Sequence, residues 1–102
     1  MKYVYLIQSL EDGYYKIGIS KNPFSRRKQL KTGNASPSKL IEEYKAEYPK
    51  LIETAMHNRY SHLRKEGEWF ALSIENEVTF MDECKKIEES IIFLKQNNNI
   101  FI

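Results

Sequence analysis

The sequence predicts an α+β domain, in which a small and mainly antiparallel sheet is flanked by three helices. The prediction rests on a β-hairpin pattern at the start of the chain and on three later segments with helical features. The expected order of elements is β-β-α-β-α-β-α. A chain of 102 residues has room for one hydrophobic core, so residues 1–102 are expected to form a single domain.

The predicted hairpin comprises residues 2–8 and 14–20, which are both rich in β-branched and aromatic side chains. A Glu-Asp-Gly turn at residues 11–13 joins them. Gly18 lies inside the second strand, where a glycine indicates either a bulge or a close approach of the backbone to another group.

A short helix, a third strand and a second helix are expected next along the chain. The short helix would begin at Asn22, a suitable N-cap that precedes a proline, and would end near Thr32. Residues 39–47 form the third predicted strand. The second helix is expected to begin at Pro49 and to end at Gly67. Its core face is predicted to carry six apolar residues: Leu51, Ile52, Ala55, Met56, Tyr60 and Leu63.

The last two predicted elements are a short strand at 69–73 and a third amphipathic helix at 75–95. Five residues of this helix are predicted to face the core: Val78, Met81, Ile87, Ile91 and Leu94. Cys84 lies in the same helix and is expected to be a small core residue. The apolar tail at 100–102 is expected to form an edge strand of the sheet, or to contact a partner.

The composition excludes several classes of protein. Hydrophobic residues make up 41% of the chain and charged residues 29%, as in soluble globular proteins. No apolar run approaches the roughly 20 residues that cross a bilayer, and the first residues lack the apolar core of a secretory signal. One cysteine cannot form an internal disulfide or a cysteine-rich zinc cluster. A cytoplasmic protein without a membrane partner is therefore expected.

Basic residues are concentrated in the N-terminal part of the chain. Residues 1–40 carry eight Lys or Arg and two Asp or Glu, whereas residues 75–102 carry three basic and six acidic residues. A basic half indicates a face that attracts a polyanion. An ordinary solvated surface with uneven charges would give the same pattern.

The hairpin carries the first group of residues that could take part in chemistry. A period of two places Tyr3 and Tyr5 on one face of the first strand. It likewise places Tyr14 and Lys16 together on the partner strand. A hydroxyl and an ammonium could thus meet across the hairpin and move a proton. Alternatively, the tyrosines are ordinary strand residues and Lys16 is exposed to solvent.

The predicted first helix carries the second group, which is basic. Arg26 offers a planar fork of donors that suits phosphate oxygens. The residues that extend the positive charge along this segment are Lys21, Arg27, Lys28 and Lys31. Such residues suit the backbone of a nucleic acid, although basic helix faces also occur on surfaces without this role.

The third group combines carboxylates and an imidazole. Glu53 and His57 are four residues apart, so they share one helix face and suit metal ligation or proton transfer. Exposed pairs with this spacing are also common as simple surface contacts. Glu68, which precedes Trp69, is either a competing metal ligand or a buried structural residue.

Five motifs follow one another within residues 2–73. They are Tyr3-Val4-Tyr5-Leu6-Ile7, Lys16-Ile17-Gly18-Ile19-Ser20, Asn22-Pro23 to Arg26, Glu53-Thr54-Ala55-Met56-His57 and Gly67-Glu68-Trp69-Phe70. In this order they resemble the GIY-YIG endonuclease superfamily, in the short phage and bacterial branch whose second motif contains Lys-Ile-Gly in place of Tyr-Ile-Gly.

The resemblance implies a GIY-YIG-like fold that cleaves DNA phosphodiester bonds with one divalent metal ion, Mg²⁺ or Mn²⁺. Tyr5 resembles the tyrosine of the first motif, and Lys16 takes the place of the tyrosine of the second. Either Tyr5 or Lys16 would help to deprotonate the attacking water. Arg26 matches the arginine that stabilises the phosphate. Glu53 matches the metal-binding glutamate, and His57 would be an auxiliary ligand or a phosphate contact.

Two other functions are compatible with the sequence. Leu30 stands where better-known members of this superfamily often place Tyr or His, so the domain could be a catalytically inactive module that binds nucleic acid. Alternatively, the acidic third helix and the tail at 100–102 could contact a protein, including a second copy of the chain in a homodimer.

Overall fold

The computed structural model describes residues 2–22 and 37–97. Within these ranges the chain forms five strands, two α-helices and one 3₁₀ helix. Their bounds are β1 Lys2–Ser9, β2 Tyr15–Ser20, β3 Ser38–Ala46, α1 Pro49–Arg59, the 3₁₀ helix Ser61–Leu63, β4 Arg64–Glu66, β5 Trp69–Phe70 and α2 Ile74–Gln96. The α+β class with a small antiparallel sheet is therefore confirmed. The predicted first helix, apart from its N-cap Asn22, lies outside the described residues.

The sheet has the strand order β3-β1-β2-β5-β4, and each pair of neighbours is antiparallel. The hairpin register places Tyr5 opposite Gly18 and Leu6 opposite Ile17. In contrast to this long pairing, β5 meets β2 at two positions in the described part of the chain, one of which joins Lys16 to Trp69. After Lys16, this edge of β2 is no longer paired with β5, so α1 can contact it there.

The hydrophobic core lies between one face of the sheet and the two helices. Val4, Leu6 and Ile17 come from the central strands, as the alternation of the predicted hairpin requires. Ile52 of α1 and Phe80 of α2 pack into the same cluster. Tyr5 is also buried, but it alternates with Val4 and Leu6 and belongs to the opposite face of the sheet.

The turn between β3 and α1 is attached to α2 through one carboxylate. Glu88 Oε1 accepts a hydrogen bond from the Tyr44 hydroxyl at 2.9 Å. Glu88 Oε2 accepts from the backbone nitrogen of Glu47 at 2.8 Å and from that of Tyr48 at 3.3 Å. Since α1 begins at Pro49, these contacts fix the direction in which the helix leaves the sheet. Burial, together with the Glu88 hydrogen bond, raises the pKa of Tyr44 to about 12.

The predicted second helix is too long. α1 ends at Arg59, and the chain continues through the 3₁₀ helix into β4, which was not predicted. Tyr60 is buried and Leu63 packs against the core, but a three-residue spacing suits a 3₁₀ turn as well as an α-helix. Gly67 does not end a helix. It lies between β4 and β5 with a φ of 56°, which a tight strand connection requires.

Two predicted core positions are also wrong. Val78 is 73% exposed and Leu51 is 41% exposed. In α2 the buried residues are instead Phe80, Cys84 and Ile91, while Met81 and Ile87 pack at the edge of the core. The apolar stripe thus begins at Phe80 and passes through Cys84, a residue whose small side chain contributes little to a pattern of large apolar residues. α2 is also charged along its length, and neither described helix is apolar enough over a sufficient length to cross a membrane.

Residues 100–102, on which both the edge strand and the partner contact depend, lie outside the described residues. The homodimer therefore stays a prediction.

Cys84 is expected to react with thiol reagents at a rate that follows unfolding of the protein. Its side chain is fully buried, as the sequence predicted. Burial, with a smaller effect of the Glu88 carboxylate, raises the pKa of the thiol to about 12, so the reactive thiolate is scarce in the native state. Labelling with iodoacetamide followed by mass spectrometry should therefore be slow in native buffer and fast in urea. Equally fast labelling in both would contradict the burial of Cys84.

Candidate active site

Tyr5, Lys16 and Gly18 share the face of the hairpin that lies opposite the core. Gly18 pairs with Tyr5 across the strands, and Lys16 follows the same alternation two residues earlier. A methyl group added to Gly18 would lie 2.6 Å from Cζ of the Tyr5 ring, far inside normal contact distance. The expected close approach at Gly18 is therefore present, and the approaching group is the Tyr5 side chain.

Lys16 is buried and forms an ion pair. Its Nζ lies 2.6 Å from Oε2 of Glu68, a side chain that is 48% exposed. The ammonium also lies 5.8 Å from the centre of the Trp69 ring, on the strand that pairs with β2 at this point. The alternative of a solvent-exposed Lys16 is thus wrong. The β2–β5 pairing accounts for the contact, because it brings the residue before Trp69 close to Lys16.

Glu53 and His57 lie on α1, one helical turn apart. Glu53 is buried, and its Oε1 accepts a hydrogen bond from Lys50 Nζ at 3.0 Å. His57 Nε2 lies 2.8 Å from the carbonyl oxygen of Ile17, on the part of β2 that follows Lys16. A carbonyl oxygen can only accept, so Nε2 carries a proton and donates this hydrogen bond, and Nδ1 is the ring nitrogen left to bind a metal ion. The pair is therefore not the exposed surface contact that the spacing also allowed.

Glu53, His57 and Glu68 form a cluster, which we term the Glu-His-Glu cluster. Each residue offers one ligand atom, and the three atoms lie within 4.8 Å of one another. Two carboxylates and one imidazole suit a divalent cation. The hydrogen bond from His57 to Ile17 is of the kind that orients metal-binding histidines in proteins. Both glutamates that competed as metal ligands in the sequence are thus brought to the same place.

The basic residues of the site can be placed only in part. Lys21 follows β2 and is exposed. The other predicted phosphate and DNA contacts, Arg26, Arg27, Lys28 and Lys31, lie outside the described residues, as does Leu30.

Lys50 is a residue of the site that the sequence analysis missed. Its side chain is 76% exposed, and it approaches Glu53 from the preceding turn of α1. The three-residue spacing between a lysine and a glutamate on one helix would have indicated this contact. Lys50 also lines a surface pocket of about 410 Å³, to which Lys2 and Tyr48 contribute.

Comparison with known proteins identifies a family. No curated protein and no solved structure matches the chain. One family model does match, the T5orf172 domain, which is found in phage and bacterial nuclease-like proteins. The match covers residues 2–91 and so includes the hairpin, the Glu-His-Glu cluster and most of α2. The chain therefore belongs to the T5orf172 domain family.

Proposed function

We propose that the protein is a metal-dependent DNA endonuclease that hydrolyses phosphodiester bonds with a single divalent ion, Mg²⁺ or Mn²⁺. The observation that carries the proposal is the Glu-His-Glu cluster, which adjoins the buried Lys16 through Glu68. The nuclease-like setting of the family, the basic N-terminal part of the chain and the ordered GIY-YIG-like motifs support the same function.

Glu53, Glu68 and His57 are the residues that would hold the metal ion. Their ligand atoms lie within 4.8 Å of one another, so small side-chain movements would let all three reach one ion. The bound ion would polarise a phosphoryl oxygen and stabilise the leaving oxygen. We assign the principal ligand to Glu53, because its carboxylate is buried on a helix.

The hairpin residues would accept the proton of the attacking water and stabilise the charge on the reacting phosphate. Tyr5 is held over Gly18 and is thereby fixed in orientation. Its hydroxyl, or the amine of Lys16, would help to remove the proton of the attacking water. If Tyr5 accepts this proton, the protonated Lys16 would place positive charge beside the phosphate, because its ion pair with Glu68 holds it at the cluster. Arg26 would stabilise the phosphate, and the remaining basic residues would hold the DNA backbone: Lys21, Arg27, Lys28 and Lys31.

A plasmid assay tests this proposal directly. Purified protein is incubated with supercoiled plasmid in EDTA, in Mg²⁺ and in Mn²⁺, and the products are separated on an agarose gel. We expect nicked or linear DNA with either metal ion and intact DNA in EDTA. Intact plasmid under all three conditions would contradict the proposal.

One observation favours a second candidate, a catalytically inactive module that binds nucleic acid. Both carboxylates of the Glu-His-Glu cluster already have a lysine partner, and such ion pairs can be stable without a metal ion. This function predicts that the protein retards DNA on a native gel, with salt-sensitive affinity, and leaves the plasmid intact in every lane.

A further inference from the structure

We propose that Lys50 is a metal-displaced lysine: a divalent ion takes its place on Glu53, and its ammonium then binds a phosphate of the DNA. The inference rests on the nuclease function proposed above. It adds a DNA-binding residue outside the matched motifs and links the binding of the metal ion to the binding of DNA.

The charge balance of the Glu-His-Glu cluster supports displacement. Lys50 Nζ lies 3.0 Å from Glu53 Oε1, and Lys16 Nζ lies 2.6 Å from Glu68 Oε2. Among the described residues, a lysine thus lies against each carboxylate of the cluster. A divalent ion brings the same charge as the two lysines together, so its binding at the carboxylates competes with theirs.

The two lysines differ in their freedom to leave. Lys16 is buried within the sheet and lies against the Trp69 ring, so the surrounding structure holds it in place. Lys50 lies in the first turn of α1, and its side chain is 76% exposed. The Lys50 ammonium can therefore leave Glu53 for water without moving the backbone, and its long side chain has many rotamers. The divalent ion would therefore displace Lys50 and leave Lys16 where it is.

The surroundings of Lys50 contain a second basic residue. Lys50 and Lys2 both line the 410 Å³ surface pocket, which contains one acidic residue, Glu47, among mainly apolar and aromatic neighbours. Because Lys50 belongs to this pocket and also reaches Glu53, the pocket adjoins the cluster. A DNA strand with its reacting phosphate at the cluster would then bring a neighbouring phosphate within reach of Lys50. Metal binding and DNA binding should strengthen each other in consequence.

The first test measures binding of Mn²⁺ alone, by electron paramagnetic resonance. Lys50→Met is compared with the wild type and with Lys86→Met. Lys86 is a matched control, because it forms an i,i+3 pair with Glu83 on α2 and is 72% exposed. We expect Lys50→Met to bind Mn²⁺ roughly two- to fivefold more tightly than the wild type, and Lys86→Met to bind it equally well.

The second test measures DNA affinity, by fluorescence anisotropy of a short labelled duplex in Ca²⁺ and in EDTA. A gel confirms that the duplex stays intact during the measurement. The wild type and Lys86→Met should bind DNA more tightly in Ca²⁺ than in EDTA. Lys50→Met should lose most of this gain, because it lacks the ammonium that the metal ion releases.

The outcomes separate this inference from the proposed function. Wild-type protein that binds Mn²⁺ with the same affinity as Lys50→Met would overturn the displacement and leave the metal site intact. Tighter Mn²⁺ binding by both lysine variants would show a general charge effect and would also overturn it. A Ca²⁺-dependent gain that persists in Lys50→Met would overturn the transfer to DNA. Wild-type protein that binds no Mn²⁺ would overturn the metal site itself, and the inference with it.

Discussion

Replacing Glu53 with glutamine is expected to abolish metal-dependent cleavage, with a loss of at least about a hundredfold in rate. Glutamine has nearly the same shape, but it lacks the negative charge that a divalent ion requires of its ligand. Glu53 is also the buried carboxylate of the Glu-His-Glu cluster, so water cannot easily supply a replacement. The measurement is the rate of nicking of supercoiled plasmid in Mn²⁺.

Glu66→Gln provides the control for this variant. Glu66 is an exposed carboxylate on β4 near Glu68, and it is not a member of the cluster. Its replacement should leave cleavage unchanged. Glu53→Gln should still fold, because the ion partner that it loses, Lys50, is mostly exposed and a neutral amide is less costly to bury than a carboxylate. If correctly folded Glu53→Gln cuts at the wild-type rate, Glu53 does not hold the metal ion.

Replacing Gly18 with alanine should damage both the stability and the activity of the protein. The new methyl group would lie 2.6 Å from Cζ of Tyr5, and the buried ring has little space into which to retreat. Overpacking of this kind destabilises a protein by about 1–3 kcal/mol. Displacement of the Tyr5 hydroxyl should slow cleavage by roughly a hundredfold, as other misplacements of about 1 Å do. Urea unfolding and plasmid nicking measure the two effects.

Two further variants test whether the crowding of Tyr5 causes the loss of stability and activity in Gly18→Ala. Gly13→Ala places a side chain at a φ of 77° in the hairpin turn, where the added methyl group meets Gln8 at an ordinary 3.9 Å. It should lower stability by about 1 kcal/mol through backbone strain and keep its cleavage activity. The second variant is the double mutant Gly18→Ala with Tyr5→Leu, in which a smaller side chain replaces the ring that the new methyl group would meet. Its loss of stability should be smaller than the sum of the losses in the two single mutants. Additive losses would show that Tyr5 and Gly18 do not interact as described.

The elements that are specified by residues close together in the sequence were predictable. The hairpin follows from two strand-forming segments around a turn, and its register then places Tyr5 opposite Gly18. β4 could not be predicted, because its residues are charged and exposed and show no alternation. The end of α1 was misjudged for a related reason, since Tyr60 and Leu63 keep a helical spacing after the helix has ended.

The Glu-His-Glu cluster was predictable only where its members are close in the sequence. Glu53 and His57 share a helix face, which their spacing indicates directly. The contact between Lys16 and Glu68 joins residues 52 positions apart and depends on the pairing of β2 with a two-residue strand. No local pattern specifies that pairing. The burial of Lys16 follows from it and could not be derived from the hairpin alone.

The attachment of Glu88 to the turn before α1 would delay assembly of the candidate active site during synthesis of the chain. Its contact with Tyr44 spans 44 positions, so α1 leaves the ribosome well before the carboxylate that fixes its direction. Glu53 and His57 lie on α1, so their alignment with β2 would not be fixed until α2 has emerged. A nascent chain that has reached only β5 contains every residue of the cluster, yet it lacks the support that holds them together. If the protein cleaves DNA as proposed, cleavage would begin only after α2 has emerged and docked.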